Sequence, residues 1–401
     1  MTVTDPASPM MALAELPAHV EAIRATAREY ADTRVRPVIA QYEREHRFPR
    51  EMVREMGQLG LLGAAFPSAY GGVEAGFLAH AVVCEEISRA WSSLRALFNL
   101  QGMTCPMTIL RWGTEEHRRA YVPPLIGGES IGAFMLTEPD VGSDVAGIAT
   151  RAERRGDTYY LNGTKTWISH GTVFDAAVVL AKTDPAARHT GLTAFVVERG
   201  FGGISAVEIP KMGHHASPTA TVTFDDTPVP AANRLGSEGE GFRVAMEALD
   251  RGRLSVAAGA LGVAQACLDE SIRYARGRRQ FGQEIGQFQM VKDKIAQMAA
   301  QVEAARLLVY RLGALFDAGK QPTYEAALAK FVAAEACVQC AGLAQEVHGS
   351  YGYSEEMVVA RLYRDAKMYH SGEGTSNIQK LIIANHVLGY KPAGWRQRDP
   401  A

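Results

Sequence analysis

The sequence predicts an α+β protein of several domains, in which a helical region precedes a strand-rich region and a second helical region follows. Apolar residues recur at helical spacing before about residue 120 and again beyond the middle of the chain, whereas the segment between them carries successive strand patterns. The length of 401 residues suggests two or three domains. We therefore predict an N-terminal helical domain (1–129), a middle β domain (130–233) and a C-terminal helical domain (234–401).

The N-terminal region reads as helices joined by turns. Val20, Ile23 and Ala27 recur on one helical face, and proline- and glycine-rich turns follow at 47–49 and 66–72. Further helices are predicted at 79–92 and from about residue 96. Thr114 precedes two glutamates and has the composition of a helix start.

The middle region alternates as strands do. Residues 158–161 and 164–169 flank Asn162-Gly163, a pair that favours a hairpin turn because both residues tolerate positive φ. Runs at 176–181, 192–197 and 221–224 are further strands. Strands in succession without intervening helices predict a compact antiparallel barrel or sandwich.

Two long apolar stripes follow in the C-terminal region. One runs from Leu261 to Ala275 and the other from Val291 to Leu312. Long helices with such stripes usually pack as an antiparallel bundle, and a second stripe would let two chains associate.

Composition excludes several classes of protein. The net charge of −2 offers no basic field for nucleic acid. The N-terminal residues lack a signal-peptide pattern, and no uncharged apolar run reaches the ~20 residues of a membrane span. The five cysteines are sparse and odd in number, which predicts a reducing cytoplasm. Cys337 and Cys340 have redox-motif spacing but lie in a helical run without further ligands, so we expect no metal site.

The segment 364–380 has the strongest chemical signal. Glu373 stands between Gly372 and Gly374, after one helical run and before another that Thr375 is suited to cap. A carboxylate at such a corner is desolvated by whatever docks on it, so its pKa rises toward that of a useful general base. The alternative is an ordinary helix–helix corner with a solvated glutamate.

Four other constellations carry possible chemistry. The loop 135–144 has the hydroxyls and backbone N–H groups to bind a polar ring or an anion. Trp167 and Ser169 would share one face of a strand, unless Trp167 is a core residue. Basic clusters at 250–253 and 276–279 suit phosphates, and the glycine-rich turn 346–353 suits a pyrophosphate.

Taken together, in this order, these segments resemble the acyl-CoA dehydrogenase family. The resemblance runs from about residue 20 to residue 390 and is carried by 66–72, 136–144, 161–169, 278–282, 364–367 and 373–375. It implies three domains, the last a four-helix bundle, usually assembled as a homotetramer, with FAD as cofactor. It also implies an acyl thioester substrate, and an electron-transferring flavoprotein as acceptor.

The resemblance also implies roles for individual residues. Glu373 matches the base that removes the α-proton. The positions that match FAD-binding residues are Phe134, Leu136, Thr137, Ser143, Trp167, Ser169, Arg278, Gln280, Phe281, Gln289, Glu346, Gly349, Ser350, Thr375 and Asn377. The positions that match substrate contacts are Ser143, Asp250, Arg253 and Gly374.

Arg95 lies in a segment, 95–101, that resembles the part of glutaryl-CoA dehydrogenases in which an arginine pairs with the distal carboxylate of the substrate. The alternative is an arginine that faces solvent or pairs with Glu85 or Glu86. Three departures from the family pattern are Ser169 for a commoner Thr, Glu346 for a usual Gln, and His215 where an Arg often stands. If that Arg helps to hold the nucleotide end of CoA, its replacement by His215 favours a carrier-protein thioester.

Three other functions fit the same sequence. Two share the fold, namely a flavin oxidase or monooxygenase and a dehydrogenase of carrier-bound acyl groups. The third is a non-catalytic acyl-CoA-binding protein, which would be expected to have lost the base or the flavin loop; both are present here.

Overall fold

The computed structural model describes residues 15–390. Its N-terminal part is helical, as expected, with a capping box at Thr114 that starts the last helix. The helices are α1 (Ala18–Tyr30), α2 (Ile39–Glu45), α3 (Arg50–Gln58), α4 (Gly76–Ala90), α5 (Ser92–Asn99), α6 (Cys105–Trp112) and α7 (Glu115–Ile126).

Helix α4 is buried along most of its length. Nearly all of its side chains from Leu78 to Ser88 are buried, because α1, α8 and α9 pack around it. Helix α5 follows directly and is succeeded by a π-helical turn, Leu100–Thr104. Such turns re-aim neighbouring side chains and are frequent at functional sites.

The middle part is one sheet with the strand order β6-β7-β3-β2-β4-β5-β8, and β1 also pairs with β4. Its strands are β1 (Gly132–Met135), β2 (Arg151–Arg155), β3 (Thr158–Ser169), β4 (Ala176–Lys182), β5 (Leu192–Glu198), β6 (Ile204–Glu208), β7 (Thr219–Pro230) and β8 (Arg234–Leu235). The pairing is mostly antiparallel, as predicted, but β1 and β2 both run parallel to β4.

The predicted hairpin at Asn162-Gly163 is wrong. Strand β3 runs straight through this pair, and the register against β7 shifts between Leu161 and Gly163, as it does at a β-bulge. Gly163 is needed there because its φ is +150° and an added Cβ would lie 2.5 Å from the Thr150 hydroxyl. The turn instead falls at Gly156, between β2 and β3.

The C-terminal part is again helical. Its helices are α8 (Gly241–Gly277), α9 (Gln289–Asp317), α10 (Thr323–His348), α11 (Val358–Ala366) and α12 (Ser376–Val387); a short hairpin of β9 (Arg279–Gln280) and β10 (Gln283–Glu284) precedes α9. The predicted class, α then β then α, is confirmed. The exact domain limits at 129/130 and 233/234 stay predictions.

One helical segment within residues 15–390, Thr323–Tyr353, has the length and composition of a membrane span. More than half of its most apolar stretch is buried, with α8 and α9 packed against it. Because it also buries the charged side chain of Lys330, it is a core helix of the bundle.

Candidate active site

Glu373 lies on a strained corner between α11 and α12. Its φ is +56°, a value that costs a residue with a side chain of order 1–3 kcal/mol, and the following Gly374 has a φ of +88°. Thr375 caps α12 by accepting the backbone N–H of Ile378 at 3.3 Å, as predicted. Strain of this kind persists only where surrounding contacts hold it.

The two carboxylate oxygens of Glu373 differ in their hydrogen bonding. Asn99 at the end of α5 donates its amide N–H to Oε1 at 2.6 Å. Oε2 is buried and has no hydrogen-bond partner within residues 15–390. Burial raises the pKa of Glu373 above the usual value, although the Asn99 hydrogen bond and the charges of Arg253, Lys330 and Arg95 oppose this rise. A buried carboxylate with one free oxygen and a raised pKa has the properties of a general base.

Helix α8 approaches this carboxylate at a glycine. A Cβ on Gly252 would stand 2.9 Å from Glu373 Oε2. Any larger residue at position 252 would displace the carboxylate. One residue on, Arg253 is buried and bonds Asp250 at 2.5 Å, and its guanidinium lies beside Gly374.

Two buried side chains hold the backbone of the corner. Lys330 of α10 donates to the Gly374 carbonyl at 2.8 Å. Gln379 of α12 donates to the same carbonyl at 3.0 Å and to that of Glu373 at 3.2 Å. An added Cβ on Gly374 would lie 2.7 Å from the Gln379 amide nitrogen, so the close approach requires glycine.

Arg95 lies on α5, one turn before Asn99, and is 1% exposed. Its guanidinium carbon is 5.2 Å from the centre of the Tyr369 ring. Gly259 of α8 makes room for it, because a Cβ there would lie 2.5 Å from Arg95 Nε. The Tyr369 hydroxyl is fixed by the hydroxyls of Ser92 at 2.8 Å and Ser88 at 3.3 Å.

Two buried histidines flank Arg95. His80 bonds Ser255 at 2.6 Å and His214 bonds Ser92 at 2.9 Å. Burial, reinforced by the charge of Arg95, lowers the pKa of each to about 3. Both are therefore neutral at physiological pH, and Arg95 is the cation among these three side chains.

The loop after β1, which contains Leu136 and Thr137, is held in place by a buried ion pair. Lys165 on β3 donates to Glu138 at 2.8 Å and to the Leu136 carbonyl at 3.1 Å. Burial alone would raise the pKa of Glu138, but Lys165 brings it below the usual value; burial lowers the pKa of Lys165 to about 8. Both groups are therefore charged near neutral pH.

Trp167 is not a core residue. Its side chain is 61% exposed and its φ is +58°, because the register of β3 shifts a second time between Lys165 and Ile168. The simple alternation that was to place Trp167 and Ser169 on one face is therefore broken. A large exposed aromatic ring held in a costly backbone conformation suits a planar ligand.

A third group of predicted residues lies on the C-terminal domain. Phe281 is 93% exposed with a φ of +51°, and Arg278 lies 5.8 Å from the Tyr351 ring, which joins its segment to the turn at Gly349 and Ser350. Lys294 bonds Glu346 at 2.6 Å, which neutralises the acid that replaces the usual amide. Within residues 15–390 the guanidinium of Arg278 forms no ion pair, so it remains available to a diphosphate.

The structure thus brings together Glu373, Gly374, Asp250 and Arg253, with Arg95 adjacent. No hydrogen bond, ion pair or aromatic contact in the described part of the chain joins the Arg278 group to Glu373. Sequence reasoning missed Asn99, Lys330, Gln379 and the Lys165–Glu138 pair. A lysine in an otherwise apolar helical run was a usable signal for Lys330, whereas nothing local marked the others.

Comparison with known proteins agrees with this site. Residues 17–129, 133–227 and 239–388 match the models described as the N-terminal, middle and C-terminal domains of acyl-CoA dehydrogenase. The chain belongs to the acyl-CoA dehydrogenase family. It is therefore an FAD-dependent oxidoreductase that dehydrogenates an acyl-CoA to the α,β-enoyl product.

Several relatives match over nearly their whole length. The chain is 46% identical to glutaryl-CoA dehydrogenase of Desulfococcus multivorans, over 91% of this chain and 95% of the relative. It is 40% identical to the mitochondrial short-chain specific acyl-CoA dehydrogenase of Homo sapiens, over 93% and 91%.

Solved structures match equally well. A glutaryl-CoA dehydrogenase in complex with glutaryl-CoA superposes with a TM-score of 0.93 at 44% identity, over 96% of this chain and 99% of that one. A structure described as electron transferring flavoprotein of Acidaminococcus fermentans gives 0.92 at 36% identity, over 93% and 99%.

The residues fit FAD. The exposed Trp167 supplies a ring surface, and the fixed loop at Leu136 and Thr137 supplies polar groups. Arg278, which has no ion-pair partner among residues 15–390, supplies a cation for a diphosphate. The remaining positions that match the family's FAD contacts are Phe134, Ser143, Ser169, Gln280, Phe281, Gln289, Glu346, Gly349, Ser350, Thr375 and Asn377.

We predict that Lys165→Met weakens both the fold and FAD retention. Removing one partner of a buried ion pair leaves Glu138 uncompensated, which typically costs about 3–5 kcal/mol. Denaturant unfolding of the holoenzyme measures the loss of stability, and the FAD released at fixed temperature measures retention. Lys320→Met, at an exposed lysine, is the matched control. Unchanged stability in Lys165→Met would contradict the bracing role of the pair.

Proposed function

We propose that Glu373 is the base that removes the α-proton and that the substrate is the CoA ester of a short dicarboxylic acid, with Arg95 binding the distal carboxylate. The observation that carries the substrate class is a buried arginine without a carboxylate partner.

The acidic residues nearest in sequence do not neutralise Arg95. Glu85 bonds Arg306 at 3.1 Å and Tyr310 at 2.6 Å. Glu86 bonds Arg28 at 2.5 Å. Within residues 15–390 no carboxylate forms an ion pair with Arg95, and its Nε has no hydrogen-bond partner. A buried unpaired charge costs several kcal/mol, so an anion supplied by the substrate is the favourable way to satisfy it.

The spacing along α5 places Arg95 on the side of the helix that faces the base. Arg95 and Asn99 are four residues apart, so they project from the same face with Cβ atoms about 6 Å apart. Asn99 holds the base, and Arg95 would hold the far end of the substrate. The glutaryl-CoA dehydrogenase of Desulfococcus multivorans, 46% identical to this chain, supports a five-carbon diacid as the acyl group.

Each residue near the base has a distinct part in the proposed reaction. Asn99 fixes Oε1, so Oε2 is the oxygen that accepts the proton from the α-carbon. Ser143, Asp250, Arg253 and Gly374 are assigned to the thioester and its pantetheine arm. Bound FAD supplies the acceptor for the hydride that leaves the β-carbon. Burial of the corner excludes water from the carboxylate before the substrate docks.

The rival functions are outcomes of the same assay. Flavin reduction by an acyl-CoA in the absence of oxygen supports the dehydrogenase. A yellow protein that no CoA ester reduces would favour carrier-bound acyl groups or an oxygen-using flavoenzyme. A protein that binds acyl-CoA and no FAD would be a binding protein.

The physiological acceptor is proposed to be an electron-transferring flavoprotein. This follows the family resemblance and the likeness to the Acidaminococcus fermentans structure. We also propose a cytoplasmic location, since all five cysteines are unpaired and buried, as is common in a reducing compartment. Reduction of a purified electron-transferring flavoprotein by the substrate-reduced enzyme, and fractionation of the source cells, test these two proposals.

We expect Glu373→Gln to retain FAD and bind acyl-CoA while reducing the flavin at least ~10³-fold more slowly, because the amide cannot take the proton. In the wild-type enzyme the rate should fall as the pH drops through the pKa of Glu373. Since burial raises this pKa, the midpoint should lie above the 4.5 of an ordinary glutamate. Anaerobic stopped-flow absorbance measures both effects. Glu129→Gln, at an exposed site, is the control, and near-wild-type reduction by Glu373→Gln would refute the assignment.

We expect Arg95→Met to discriminate between substrates. It should lower kcat/KM for glutaryl-CoA about 10²-fold, because a desolvated charge-assisted contact is lost, and leave butyryl-CoA within about threefold. Steady-state assays with an artificial acceptor measure the two ratios. Arg119→Met, at an exposed arginine, is the control. Equal losses for both substrates would remove Arg95 from the specificity site.

We also propose a homotetramer. Its support is the set of large apolar side chains exposed on the C-terminal domain, which includes Phe281, Met290, Tyr353 and Val387. Sedimentation equilibrium should give four times the chain mass of 43.4 kDa. A monomer that retains FAD would contradict this proposal.

A further inference from the structure

We propose that Lys330 is a positioning residue for the base, one that anchors the Gly374 carbonyl and thereby holds Glu373 on its strained corner. This inference rests on the proposed role of Glu373. Lys330 does not touch the reacting atoms; it acts through the backbone that carries the carboxylate.

The geometry around Lys330 is unusual for a lysine. The side chain is 0% exposed, and its ammonium donates to the Gly374 carbonyl at 2.8 Å. Within residues 15–390 it forms no ion pair, so a backbone carbonyl is its hydrogen-bond partner. An apolar residue of similar length would pack in the same bundle without the desolvation cost of a charge. The ammonium group of Lys330 therefore has a role other than packing.

Gln379 completes the anchor from the other side. It is also fully buried, and its amide nitrogen lies within hydrogen-bond distance of the carbonyls of Glu373 and Gly374. Together the two side chains fix consecutive peptide planes, and thus the backbone that sets the direction of the Glu373 side chain. The anchor opposes relaxation of the +56° φ of Glu373 toward an ordinary conformation.

The same ammonium also affects the charge state of the base. Glu373 is faced by Arg95 and Asn99 from α5, Arg253 from α8 and Lys330 from α10, all of which favour its ionised form. Around Lys330, burial and Arg253 lower its pKa to about 8, while Glu373 and Glu335 oppose this; Glu335 is itself 3.3 Å from His370. Below about pH 8 Lys330 is thus charged and contributes both geometry and charge.

The test compares Lys330→Met, Lys330→Arg and Gln379→Met, each as FAD-loaded enzyme. The substrate is whichever of glutaryl-CoA and butyryl-CoA reduces the wild-type flavin. The rate of flavin reduction is followed in the absence of oxygen at several substrate concentrations and pH values. Lys330→Met removes anchor and charge, Lys330→Arg keeps both approximately, and Gln379→Met removes part of the anchor without changing charge. Lys320→Met is the surface control.

For Lys330→Met we expect the limiting reduction rate to fall at least about tenfold, because a small misplacement of a catalytic group is costly. The substrate dissociation constant should change by less than about threefold. The acidic limb of the rate profile should move to higher pH, by on the order of one unit, since a cation that stabilised the carboxylate is lost. Lys330→Arg should keep the acidic limb at its wild-type pH. Gln379→Met should slow flavin reduction without shifting the acidic limb.

Two results would overturn the proposal. One is a Lys330→Met enzyme with the wild-type limiting rate and acidic limb, even if its melting temperature is lower, because that is the behaviour of a merely structural residue. If Lys330→Met does not fold, the deciding variant is Gln379→Met, with Lys330→Arg as the folded, FAD-bound reference. A Gln379→Met enzyme that reduces the flavin at the wild-type rate then overturns the proposal. Glu373→Gln separates the two hypotheses, since normal reduction by it refutes the base itself, whatever Lys330 does.

Discussion

The candidate active site depends on keeping one carboxylate, that of the proposed base Glu373, buried, partly unsatisfied and still ionisable. Burial raises the free energy of the charged form of Glu373, and the surrounding Arg253, Lys330 and Arg95 lower it again. A fully solvated carboxylate would be only weakly basic, whereas a buried carboxylate without nearby cations would stay protonated. Burial and nearby cations are therefore both needed for the proposed base. The Asn99 hydrogen bond to one oxygen then decides which oxygen is free.

Helix α8 makes this arrangement sterically possible. Gly252 admits the Glu373 carboxylate, and Gly259 admits the Arg95 side chain together with the Tyr369 hydroxyl. These two positions are seven residues apart, so they lie on nearly the same face of the helix. At these two positions the missing side chain leaves room for polar groups from α5 and from the corner before α12 to lie within the core.

Charged groups inside the molecule follow two different rules. Lys165 is paired with Glu138 and braces the loop that carries Leu136 and Thr137. Arg95 and Lys330 have no carboxylate bonded to them in the described part of the chain, and both lie close enough to the Glu373 corner to lower the pKa of its carboxyl. The paired lysine braces a loop, whereas the two cations without a carboxylate partner lie where the proposed base and the proposed anionic substrate would use them.

The sequence by itself determined the order of helical and strand-rich regions, the Thr375 cap, and the position of Glu373 between two glycines, since periodicity and turn chemistry are local. It did not determine that β3 passes through Asn162-Gly163, because a glycine with positive φ occurs both in hairpin turns and within bulged strands, and only the pairing with β7 separates them. The tertiary structure alone placed Asn99 and Lys330, 274 and 43 residues from Glu373 along the chain, beside its corner. Burial and the bonding of each charge arise from contacts between distant segments, and these decided which acidic, basic and amide side chains serve the site.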